Sequence, residues 1–85
     1  MKKHIGTITI FSDDRHNNAA KLQEVLTKNG NLIRSRLGVN LSPLCSSACP
    51  GVIVLIVEGT KAQINSLTKK IDAIYAVKAK NVVIN

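Results

Sequence analysis

Aromatic side chains are nearly missing: Phe11 and Tyr75 are the whole complement of an 85-residue chain that has no tryptophan. Proteins that grip single-stranded nucleic acid stack its bases on such rings, so a stacking platform is excluded. Acidic residues are scarce, 5 against 12 Lys and Arg, which gives a formal net charge of +7. That excess favours an anionic partner, yet no helix-turn-helix, basic-region or zinc-finger pattern accompanies it. Specific nucleic-acid recognition is therefore not expected. Cysteine is limited to Cys45 and Cys49, too few for the disulfide framework of a small secreted domain. The longest unbroken apolar run, Val52 to Val57, has 6 residues, far short of the roughly 20 that span a bilayer. Met1 to Thr7 lacks the apolar core of a signal peptide. Together these absences predict a cytoplasmic chain with no membrane partner.

Catalytic signatures are missing as well. No paired carboxylates sit in strand ends with a histidine, since Asp13 and Asp14 are explained as helix caps, and no Gly-rich phosphate loop, Walker pattern or G-x-S-x-G turn occurs. An enzyme is not expected.

What is present is a globular composition, 45% hydrophobic, in a length that predicts one domain over residues 1–85. A chain this short buries only about 60–65% of its unfolded surface, so self-association is a natural supplement. Its organising stretch is Gly51 to Thr60. The residues from Val52 to Val57 are β-branched except Leu55, which favours a strand. Alternation sends Val52, Val54 and Ile56 to one face and Ile53, Leu55 and Val57 to the other. Both faces are apolar, so both need a cover.

The flanking segments supply part of it. His4 to Phe11 alternates as a strand, with Ile8 and Ile10 on one face. Ser12, Asp13 and Asp14 offer helix N-caps, and Ala19, Leu22, Val25 and Leu26 form a helical stripe that ends near Asn29-Gly30. Leu32 to Val39 reads as an edge strand, with Leu32, Arg34 and Arg36 on one side and Ile33, Ser35 and Leu37 on the other. Asn40 to Pro50 is a loop broken by Pro43 and Pro50. Thr60 and Gln63 are spaced as a capping box ahead of a second stripe, Ile64, Leu67, Ile71 and Ile74. Tyr75 to Ile84 reads as the last strand.

The order is β-α-β-β-α-β. Right-handed crossovers put both helices on one face of a four-stranded antiparallel sheet, an α+β ferredoxin-like sandwich. The other face stays bare and apolar, which predicts a homodimer or tetramer closed through that face.

A family resemblance is carried by Ile5-Gly6-Thr7-Ile8, Asp13-Asp14-Arg15, Gly30-Asn31-Leu32-Ile33 and Arg36-Leu37-Gly38-Val39. Val52 to Thr60, Ile64-Asn65-Ser66-Leu67-Thr68 and Ala76 to Lys80 complete it. Together these residues resemble the family called "putative iron-only hydrogenase system regulators", which is similar to the ACT domains and to the ligand-binding domain of the nickel-responsive repressor. The resemblance implies an ACT-like regulatory domain that oligomerises and senses a small ligand or a metal, tied to a hydrogenase system or related metal metabolism. Members of the family usually carry glycine where Lys69, Asp72 and Ala76 stand here, so the turn into the last strand is expected to differ. The repressor's DNA-binding segment and its His-rich nickel site have no counterpart.

Two candidate sites follow. Arg34 and Arg36, with Lys78 and Lys80 of the last strand, are candidates for binding a carboxylate or phosphate ligand at a subunit interface. The same charges also suit guards against edge aggregation, or a basic edge that docks an acidic partner. Cys45 and Cys49 are candidates for holding a soft metal ion or for redox pairing. A tetrahedral centre needs four ligands, to be completed by a second copy or by His16. The alternative function is accordingly a small metal- or redox-binding protein. The ligand itself stays unnamed, and a metal ion is the one candidate cofactor. His16 is expected to be exposed, and His4 to be solvated at the start of an edge-side strand.

Overall fold

The computed structural model describes residues 3–41 and 50–85. Its elements run in the expected order: β1 (His4–Ser12), α1 (Arg15–Lys28), a 3-10 turn (Gly30–Leu32), β2 (Ile33–Asn40), β3 (Gly51–Gly59), α2 (Lys61–Asp72) and β4 (Val77–Val83). The four strands pair antiparallel in the order β2-β3-β1-β4. This is the ferredoxin-like arrangement, with both helices packed on one face.

The core lies between that face and the helices. Ile8 and Ile10 of β1 and Leu55 and Val57 of β3 are fully buried, and Ile64, Leu67 and Ile71 of α2 close over them. Each such side chain contributes about 1.5–3 kcal/mol on leaving water. The capping box forms as its spacing predicts. The Gln63 backbone N–H donates to Thr60 Oγ1 at 3.1 Å, and the Thr60 N–H donates to Gln63 Oε1 at 2.9 Å. Two groups left over at the helix start are thereby satisfied.

Several local expectations shift. Asp14 occupies the N-cap of α1, but its side chain makes no capping hydrogen bond; it accepts instead from the Asn17 side chain at 2.7 Å. The buried side of α1 runs through Asn18, Leu22 and Leu26, while Ala19 is exposed. Leu32 belongs to the 3-10 turn, and Tyr75 and Ala76 form the turn before β4. His4 does not sit on an edge, because β1 lies between β3 and β4; its ring Nδ1 meets the Asn85 carbonyl.

No helix of the described residues lies over the opposite sheet face. Phe11, Ile56, Leu37, Val39 and Val82 are exposed apolar side chains, from 37% for Phe11 to 65% for Leu37. The register sets them in rows, Val39–Val52–Phe11–Lys78 and Leu37–Val54–Thr9–Lys80.

Candidate functional site

The edge strand β2 carries a bulge that decides where its cations go. Ile33 pairs with Val57 and Ser35 with Ile56, so Arg34 is the extra residue between them. An inserted residue reverses the alternation beyond it. Arg36, opposite the buried Leu55, therefore turns to the helix side and donates to Gln23 Oε1 of α1 at 3.1 Å. Arg34 instead donates to Glu58 Oε1 at 2.9 Å. Glu58 follows the buried Val57, so it belongs to the open face. The expectation that Arg34 and Arg36 share one face is corrected by this bulge.

Lys78 and Lys80 pair with Phe11 and Thr9 and belong to the open face. They lie on β4, at the far edge of the sheet from β2. Within one chain the four cations do not converge. Arg34, Lys78 and Lys80 share the open face at its two edges, and Arg36 stands apart.

Arg36 instead borders a groove between α1 and the inner side of β2, with a volume of about 290 Å³. β2 is exposed along nearly its whole length, while α2 packs over β4, β1 and β3. Leu22 and Ile53 form the apolar floor, and Arg15 crosses the end of the groove. A Cβ on Gly51 would stand 2.8 Å from Arg15 Cδ, so the missing side chain is what lets Arg15 lie over the start of β3. From there Nη1 of Arg15 donates to the Asn40 side-chain oxygen. Below, Ser12 Oγ donates to Asn18 Oδ1 at 3.0 Å, and Asn18 Nδ2 donates to the Tyr75 carbonyl at 3.1 Å. This pair of bonds satisfies a fully buried amide and fixes α1 to β1 and to the turn before β4.

Arg15, Asn18, Gln23 and Asn40 did not emerge as site residues from sequence. Periodicity places α1 and β2, but the groove depends on how far α1 stands from β2. Gly51 at the start of the most apolar strand was the one available signal.

Cys45 and Cys49 lie outside the described residues. Among the described residues no group of three or more His, Cys, Asp or Glu is placed to hold a metal ion. His16 is exposed. No helix among the described residues is long and apolar enough to cross a membrane.

Solved structures share this architecture. The uncharacterized protein TM1266 from Thermotoga maritima superposes with a TM-score of 0.87 at 23% identity, over 99% of this chain and 100% of that one. A "putative PII-like signaling protein" from Thermus thermophilus follows at 0.63 and 14% identity, over 99% and 93%. CPII from Thiomonas intermedia K12, bound to ADP, AMP and acetate, gives 0.50 at 15% identity, over 100% and 93%. A comparison with curated proteins found no match. The family model described as "TM1266-like: Iron-only hydrogenase system regulator, putative" matches residues 4–81, and the chain belongs to that family.

Proposed function

We propose that this chain regulates an iron-only hydrogenase system, or related metal metabolism, as a ligand-responsive homo-oligomer closed through the open face of its sheet. The observation that carries the reading is that face. Leu37, Val39 and Val82 are each at least half exposed, in rows continuous with Val52, Val54 and Ile56 of the central strand. A 9.2 kDa chain gains much by covering such a surface.

Charge placement favours a second copy as the cover. A two-fold axis parallel to the strands lays β2 of one copy over β4 of the other. The rows then set Leu37 over the aliphatic stem of Lys80 and Val39 over that of Lys78, leaving both ammonium groups free to reach water. An axis across the strands would set the two Lys pairs against each other. The favoured arrangement also carries Arg34 of one copy over the row of Thr7 and Val82 of the other, next to the row of Lys80. That combination is an anion-binding edge which one chain cannot build. A ligand there stabilises the assembly by its differential affinity for it.

The chain's family supports the hydrogenase association, and CPII, which shares the fold, is bound to ADP, AMP and acetate. Those three compounds are the first probes. Calorimetry and sedimentation with each, on the wild type and on an Arg34→Ala/Lys80→Ala variant, test the ligand response. The reading expects at least one probe to bind and to increase the assembled fraction, and expects the variant to lose that response. Silence from all three, with assembly unchanged, contradicts it.

A further inference from the structure

We infer that the groove between α1 and β2 binds a small organic anion, its charged end held by Arg15 and Arg36 and its apolar body lying on Leu22 and Ile53. The inference goes beyond the ligand-responsive reading by adding a second site, within a single chain, and its ligand class; it does not depend on assembly.

Size comes first. A volume of about 290 Å³ stands at the lower end of small-molecule sites. It suits an acid of a few carbons better than a dinucleotide. Charge comes second. Two guanidinium groups border one cavity from different elements, Arg15 from the first turn of α1 and Arg36 from the middle of β2. The bond of Arg36 to Gln23 is to a neutral amide oxygen, and among the described residues Arg36 has no ion pair. Glu24 is engaged with Lys21 and Lys28, and Glu58 with Arg34. The positive field in the groove is therefore not cancelled by those acids. The Arg36 guanidinium spends one donor on that amide and keeps the remainder of its fork for a carboxylate or phosphate.

The third observation is that Gly38 and Gly51 line the groove without side chains of their own. Gly51 makes room for the Arg15 stem, as described above. A Cβ on Gly38 would come 3.9 Å from Ile53 Cγ1, in ordinary contact with the apolar floor. Leu22 is buried at 2% exposure and Ile53 is partly buried, so the floor is firm and apolar while the rim is cationic. This pairing of walls selects an amphipathic anion over a bare one.

The test is ¹⁵N chemical-shift titration of the full chain with hexanoate. Hexanol serves as the uncharged control and inorganic phosphate as the bare-anion control. Hexanoate should give saturable shifts at the amides of Asn18, Gln23, Arg36 and Gly38. Hexanol should give none there, and phosphate should bind more weakly. Arg36→Met keeps an apolar stem and removes the charge; it should weaken hexanoate at least about tenfold, the equivalent of one charge-assisted hydrogen bond. Arg15→Met should do the same, and Lys61→Met, at the exposed start of α2, should leave binding unchanged. Circular dichroism confirms that each variant is folded. The inference is overturned if hexanoate gives no saturable shift. It is equally overturned if hexanol or phosphate binds as tightly, or if Arg36→Met binds like the wild type. Sedimentation of the same samples separates the two readings. A self-associated chain with a silent groove sinks this inference alone, and a single chain whose groove binds sinks the assembly alone.

Discussion

The backbone N–H of Asp13 donates to the Ala76 carbonyl across 2.9 Å, and Ala76 holds that position at φ +58°. It is the one positive-φ residue other than glycine among the described residues. Members of the resembled family usually carry a glycine at this turn. The backbone conformation that suits glycine is kept here although the residue has a Cβ. A left-handed conformation costs an alanine about 1–2 kcal/mol. The looser unfolded chain of a glycine variant gives back about 0.4–1 kcal/mol. Ala76→Gly should therefore stabilise the fold by a net of up to about 1.5 kcal/mol. Thermal unfolding reads this as a rise of several degrees; a lower midpoint would show that the turn is not strained.

The capping box at α2 gives a second prediction. Thr60 and Gln63 satisfy each other's backbone donors. Thr60→Ala should cost about 1 kcal/mol. Gln63→Ala should cost less, and the double variant should cost less than the sum, since the pair acts as a unit. Strictly additive losses in urea unfolding would deny that coupling.

Gly6 and Gly30 make a contrasting pair. A Cβ on Gly6 would stand 2.7 Å from the Val82 carbonyl oxygen, a backbone atom held in β4, whereas one on Gly30 would meet nothing within 4 Å. Gly6→Ala should therefore destabilise by about 1–3 kcal/mol through forced movement of β4 against β1. Gly30→Ala, in a backbone without positive φ, should be neutral or stabilising by a few tenths of a kcal/mol. Equal midpoints for the two variants in denaturant would contradict this reading of the β1–β4 contact.

The larger outline of the fold was legible because hydrophobic period survives tertiary context. The unbroken apolar strand does lie in the sheet interior, with Leu55 and Val57 in the core and Ile56 on the open side. Ile64, Leu67 and Ile71 do line the buried side of α2, and β2 is an edge. What was not legible turns on single residues. A period of two assumes an unbroken ladder, and the bulge at Arg34 moves every later side chain of β2 to the other face. Counting residues therefore grouped Arg34 with Arg36, which the structure separates. Asn18 is fully packed although its type favours the surface, because Ser12 and the Tyr75 carbonyl satisfy its amide. Neither partner is near it in a helical pattern. Arg15 looked like the residue after two candidate caps. Its place over Gly51 comes from the approach of α1 to the start of β3, which no local signal encodes.

The state of the chain in solution tests the closure of the sheet most directly. Sedimentation velocity at micromolar concentration should find the wild type as a dimer or tetramer. Val54→Lys, which plants a charge in the centre of the open face opposite Thr9 and Leu37, should sediment as a folded single chain. A wild type that sediments as a single chain, or a Val54→Lys variant that assembles as the wild type does, would contradict the covering of this face by a second copy.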